Sequence, residues 1–206
     1  MKTNLLLRII EIADNLGIPS VLIGGLALPA YNVARTTLDI DLCIYIKSQE
    51  KLDLFIQKLK ENNIFTSQNP KINHDLFMVY GLSNELEIWL KPCDAFNWDE
   101  LMIKKIKHFS GKINVLALED YILTKLARQD RSQTDLNDIF QIIIANRKTI
   151  DWDYLIYRLK LFNLIEEFER IILSFSISTN EEIRKIYDDI LKEFKDYKEK
   201  RLRKIK

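Results

Sequence analysis

The spacing of apolar positions divides the chain into two kinds of stretch. Over residues 3–16, Leu6, Ile9, Ile10, Ala13 and Leu16 recur at helical intervals, and Gly17 with Pro19 marks the stop. Val21-Leu22-Ile23 is a short continuous apolar run and predicts a buried strand. The glycine pair Gly24-Gly25 follows. Residues 26–33 then predict a helix starting at the pair, with Pro29 tolerated in its first turn. Residues 38–46 predict a second strand, and 49–62 a helix with Leu52, Phe55, Ile56 and Leu59 on one face.

Strands are expected at 72–80 and 86–90, joined by a turn at 81–84. A further strand end is expected at 64–69, a helix at 98–106 and a short strand at 112–115. From Leu118 the pattern becomes helical, over 118–129, 133–146, 152–160, 164–174 and 181–200. The expected class is α+β: a mixed β-sheet flanked by helices over residues 1–116, then a helical region over 117–206 packing against that core. No internal repeat is visible.

Asp39 and Asp41 are two residues apart in the predicted second strand, so both side chains leave the same face. Leu38, Ile40, Leu42 and Ile44 alternate with them and predict that the other face is buried. Two carboxylates held side by side repel each other and invite a divalent cation; hard oxygen ligands point to Mg²⁺ or Mn²⁺. A third carboxylate would complete such a site. Glu87, between Leu86 and Ile88, is the candidate; Glu85 shares its parity but sits nearer the end of the apolar run. Gly24 and Gly25, ahead of a helix start, free backbone N–H groups to face phosphate. Neither G-x-G-x-x-G nor G-K-[ST] is present, so this is neither a dinucleotide fingerprint nor a Walker loop.

Arg35 precedes Asp39 by four residues and either approaches phosphate, braces the carboxylates or lies in an exposed loop. Thr36 and Thr37 either donate to phosphate or suit an extended turn. Lys125 interrupts the apolar face of Ile122, Leu123 and Leu126, where a lysine ordinarily snorkels. Asp135 is read as a partner orienting a basic side chain, and Asp138 as decoration of an exposed helix face.

Composition narrows the remaining classes. The 206 residues suit one large domain or a core with an appended helical part, and 47% apolar content supports a hydrophobic core. A net charge of +1 predicts no general affinity for nucleic acid, although a local basic patch is compatible with it. Cys43 and Cys93 form neither a disulfide framework nor a metal pattern and are expected in the core. His74 and His108 are expected on the surface, and Trp89, Trp98 and Trp152 in packing roles. The opening residues do not resemble a signal peptide, and no apolar run approaches the roughly 18 residues of a membrane span. The expected location is therefore the cytoplasm, with no membrane partner. Residues 198–206 carry six basic groups and one acidic group, as expected of a solvated helix end or of a tail touching RNA phosphates.

G-G-L-A-L at 24–28, R-T-T-L-D-I-D at 35–41 and L-E-I-W-L at 86–90 resemble the polymerase-β-like nucleotidyltransferase superfamily. The resemblance is closest to the group of AbiEii-type toxins and related nucleotidyltransferase-like proteins. That group also carries segments like L-E-D-Y-I-L-T-K-L at 118–126 and T-D-L-N-D-I at 134–139. The match spans residues 20–145. It implies that Gly24 and Gly25 form the phosphate loop, that Asp39 and Asp41 are the metal-binding D-x-D, and that Glu87 stands where the family usually has Asp. It implies that Lys125 serves the nucleotide phosphates. The implied reaction is attack on the α-phosphorus of a nucleoside triphosphate with release of pyrophosphate. The acceptor is left open among tRNA or other RNA, proteins and small molecules. A toxin relationship implies a cognate antitoxin. A catalytically silent nucleotide-binding or interaction module remains the alternative, and the oligomeric state is open.

Overall fold

The computed structural model describes residues 2–176 and 181–203. The chain divides into two compact units, residues 1–30 with 34–117 and residues 31–33 with 118–206. Lys204 to Lys206 of the basic tail lie outside the described residues. No helix among the described residues is long and apolar enough to cross a membrane.

In the first unit, helix α1 (Lys2–Asn15) leads into strand β1 (Ser20–Ile23), then a 3-10 helix (Gly25–Tyr31), β2 (Asp41–Ile44) and α2 (Gln49–Glu61). There follow β3 (Phe65–Thr66), β4 (Leu76–Gly81), β5 (Asn84–Trp89), α3 (Glu100–Lys104), β6 (Lys107–Ser110) and β7 (Ile113–Val115). The strands form one mixed sheet in the order β3-β4-β5-β2-β1-β7-β6. β2 lies antiparallel to β1 and parallel to β5, so the central strands mix both pairings.

One sheet face is a closed core. Phe77, Val79, Leu86, Ile88 and Leu42 alternate onto it and are fully or nearly fully buried. Leu5 of α1 and Ile64, just past α2, stand against Gly81 on this same face. Phe55 and Phe77 are completely enclosed, each contributing roughly 1.5–3 kcal/mol of burial. The other face is only half covered at one end. Met78, Glu87 and Asp41 are half-buried, and Tyr80 and Glu85 are exposed.

Three expectations change here. The second strand starts at Asp41 rather than residue 38, and Leu38 is 76% exposed. Alternation continues in sequence beyond the point where the chain still has a neighbouring strand to pair with. The predicted helix at 26–33 is a 3-10 helix that contains Pro29, which lacks the N–H an α-helical ladder needs. Finally, β6 is a strand that the apolar pattern does not predict: all four of its residues are exposed, so it has no periodicity to read.

The second unit contains α4 (Leu118–Leu126), α5 (Gln133–Asn146), α6 (Trp152–Leu161), α7 (Ile165–Ser176) and α8 (Glu181–Arg203). Ser132 caps α5 with its hydroxyl, and Asp135 answers with its carboxylate, a reciprocal capping box. Two sets of charges are buried among these helices. Arg158 on α6 and Asp120 on α4 are both 0% exposed, with Nε 2.8 Å from Oδ1. Tyr154 donates its hydroxyl to the other Asp120 oxygen at 2.8 Å, and the Arg158 guanidinium lies 5.1 Å from the Phe162 ring centre. Arg158→Met keeps the bulk but strands the Asp120 charge. It is expected to cost about 3–5 kcal/mol, seen as a lower urea midpoint, with Asp120→Leu recovering most of the loss in the double variant.

Candidate active site

The strand register assembles the site. β2 and β5 run parallel with Asp41 directly opposite Glu87, so both carboxylates leave the same, half-covered face. Glu85 is paired with Tyr80 on β4 and is exposed, one row away from Asp41. Of the two glutamates, Glu87 is therefore the one beside the D-x-D segment. Asp39 sits in the stretch before β2, exposed, with its N–H donating to Thr37 Oγ1 at 3.4 Å.

The pair is electrostatically frustrated. Burial first, then the charge and hydrogen bonding of Glu87, push the Asp41 carboxyl up to about 6; the Asp39 charge adds a smaller push and the Trp89 indole opposes it. Trp89 Nε1 donates to Glu87 Oε2 at 3.0 Å. Apolar patterning assigns Trp89 only a packing role. Its spacing two residues beyond Glu87, on the same strand face, is the signal that points to the contact.

The glycine pair closes over this acidic row. Ile23, the residue before Gly24, is opposite Asp41 across β1 and β2. Gly24 has φ +62, and a Cβ there would lie 1.8 Å from Asp41 Oδ2. Any side chain at 24 thus takes the space of the carboxylate and strains the backbone as well. A Cβ on Gly25 would lie 2.6 Å from Arg35 Nη2 and 2.9 Å from Thr37 Cγ2. The fold thus brings Gly24, Gly25, Arg35, Thr37, Asp41 and Glu87 into one neighbourhood, with Asp39 at its rim.

Among the described residues, no three His, Cys, Asp or Glu side chains are already gathered around one point as a metal cage. The donor chemistry still suits a hard divalent cation. Two carboxylates face each other, and burial with the neighbouring Glu87 charge pushes the Asp41 carboxyl up to about 6, a cost of ionisation that a cation would relieve.

Lys125 lies in the second unit. Its Nζ is 3.1 Å from Asp135 Oδ1 and 2.8 Å from Asp138 Oδ2, and all three side chains are buried. Asp135 does pair with a basic side chain, as expected. Asp138 does not decorate an exposed face: it is 1% exposed, because Lys125 draws it inward. The hydrogen bonds of Ser132 and the Lys125 charge outweigh the upward push of burial and hold Asp135 below its ordinary value. Cys43 and Cys93 are buried, as expected of core residues.

A carboxyl whose folded-state pKa is raised binds more protons in the folded state. Its ionisation therefore lowers stability as pH rises from 3.8 through about 6, and the penalty is complete above that. Asp41→Asn removes the penalty. In EDTA at pH 8 it is expected to raise stability by on the order of 1 kcal/mol, the half-exposed setting screening the rest. At pH 5 the difference in melting temperature should shrink; an equal difference at both pH values would contradict this.

Three solved structures bear a distant likeness to the chain. The antibiotic-resistance factor ANT(2'')-Ia is 16% identical, with 84% of this chain and 97% of that one covered at a TM-score of 0.49. An H. pylori protein described as a candidate nucleotidyltransferase is 19% identical, with 94% and 95% covered at a TM-score of 0.49. An antigenic nucleotidyltransferase-like protein from Paracoccidioides brasiliensis is 18% identical, with 66% and 72% covered at a TM-score of 0.43. No curated protein matches the chain at a significant level. Residues 2–174, most of the chain, match a family described as nucleotidyl transferase of unknown function. The chain belongs to that nucleotidyl transferase family, DUF2204.

Proposed function

We propose that the protein is a metal-dependent nucleotidyltransferase that moves a nucleoside monophosphate from a nucleoside triphosphate to an acceptor hydroxyl. The observation that carries this reading is the apposition of Asp41 and Glu87 beside a glycine pair whose first member, Gly24, leaves its side-chain space to the Asp41 carboxylate. Family membership supports the reaction class.

In this reading residues 1–116 carry the chemistry. Gly24 and Gly25 present backbone N–H groups to the triphosphate, and Arg35 and Thr37, gathered at Gly25, add donors to the same phosphates. Asp41 and Glu87, with Asp39 beside them, would hold Mg²⁺ or Mn²⁺, which would supply positive charge to the triphosphate and lower the pKa of the acceptor hydroxyl. The acceptor oxygen forms a bond to the α-phosphorus while the bond to the bridging oxygen breaks. Pyrophosphate leaves with that electron pair, and the hydroxyl proton passes to a carboxylate, with Glu87 placed to take it. Trp89 fixes Glu87 through its indole N–H. The scheme is drawn without Lys125, whose ammonium is held between Asp135 and Asp138 in the second unit.

The test is transfer of label from α-labelled nucleoside triphosphates to a broad panel of hydroxyl compounds and total RNA, with Mg²⁺ or Mn²⁺. Asp39→Asn, Asp41→Asn, Glu87→Gln and Gly24→Ala should each lower transfer at least about a hundredfold, with the circular dichroism spectrum unchanged. Nucleotide binding by the wild type with no transfer to any acceptor would contradict the reading and favour a silent binding module.

A further inference from the structure

The sheet face that carries Asp41 and Glu87 continues toward one edge. One row further on, Glu85 of β5, Tyr80 of β4 and Phe65 of β3 are direct register partners and stand side by side. Glu85 lies two residues along β5 from Glu87, about 7 Å away, with Tyr80 one strand further across and Phe65 two, and neighbours in the row about 5 Å from one another. Tyr80 is 39% and Phe65 50% exposed. They border a groove of about 600 Å³ that Asn63, Ser83 and Asn84 also line. Glu85 is the charged residue among the described lining residues, and no Lys or Arg is among them.

We propose that Phe65, Tyr80 and Glu85 form the acceptor subsite, and that it takes a small organic ammonium with a flat ring body rather than a polyanion. The proposal rests on the transferase reading for the word acceptor, and three observations carry the rest. The first is direction. The glycine pair lies on the β1 side of the acidic row, and β4 and β3 lie on the opposite side. A triphosphate held by the glycines sends its leaving pyrophosphate toward β1. Attack in line with that departure comes from over β5, β4 and β3.

The second observation is the aromatic pair. Two neighbouring rings left open on a sheet edge are a stacking surface for a flat partner. β3 is only two residues long, so the edge offers little backbone for strand pairing, and the rings are what it presents. The third is charge. Glu85 extends the carboxylates of Asp39, Asp41 and Glu87 along one face. Together they repel a phosphate backbone and attract an ammonium, whose charge also favours the faces of Phe65 and Tyr80.

The test needs neither nucleotide nor metal. Wild-type protein in EDTA is titrated by NMR with three probes of one shape: tyramine, the neutral p-cresol and the anionic 4-hydroxyphenylacetate. Tyramine is expected to bind best and 4-hydroxyphenylacetate worst, with amide shifts centred on residues 63–66 and 80–85. Phe65→Ala and Tyr80→Ala, both at exposed positions, should each weaken tyramine about two- to fivefold. Glu85→Gln should remove the preference for tyramine over p-cresol. Equal binding of all three probes, or tyramine binding unchanged in all three variants, would overturn the subsite. So would an oligouridylate that displaces tyramine at 150 mM salt, since the face would then accept a polyanion. Nucleotidyl transfer without tyramine binding removes the subsite and leaves the transferase reading; tyramine binding without transfer to any acceptor keeps the cation site and removes the transferase reading.

Discussion

The structure of the first unit turns on one repulsion. The parallel register of β2 and β5 sets Asp41 against Glu87 on a half-buried face, where neither carboxylate is fully solvated. Burial and the neighbouring charge both disfavour ionisation of Asp41, and the side chains that act on it most strongly, Glu87, Trp89 and Asp39, bring no positive charge. The surrounding residues are fitted to this pair. Gly24 is left without a side chain where Asp41 stands, and Trp89 holds one Glu87 oxygen. Sequence, register and electrostatics therefore point to the same few atoms, as expected where stability is given up for a function.

The second unit treats buried charge in the opposite way. Arg158 is matched by Asp120, and Lys125 by Asp135 and Asp138. Additional hydrogen bonds from Tyr154 and Ser132 reach the same carboxylates. Each of these sets places a cation against carboxylate in the interior, and removing one member strands a buried charge at high cost. The contrast between carboxylates that have a cation beside them and a pair that has none among the described residues is a physical basis for choosing which acids do chemistry.

Much of this is legible from the residues. Helices α2 and α5 follow from apolar periodicity, and the structure adds Ser48 and Ser132 as their caps. The choice of Glu87 over Glu85, which has the same strand parity, follows from its depth in an apolar run, and the register sets Glu87 beside Asp41. Other features depend on partners that a single sequence does not display. Leu38 continues an alternating pattern past the end of the ladder. Asp138 reads as solvated unless Lys125 is known to face it. No local spacing singles out Arg158, whose burial is made tolerable by Asp120, far away in sequence. The exposed β6 carries no apolar signal at all. The row of Phe65, Tyr80 and Glu85 joins three strands, so it exists only once the sheet order is known.

The central claim is that the Asp41–Glu87 pair holds a divalent ion beneath a nucleotide seated on the glycine pair. A crystal grown with Mn²⁺ and a non-hydrolysable nucleoside triphosphate tests it most directly, through the anomalous signal of the metal. The account predicts a peak within coordinating distance of both carboxylates, with the triphosphate against Gly24 and Gly25. A nucleotide bound elsewhere, or a peak that neither carboxylate reaches, would contradict it.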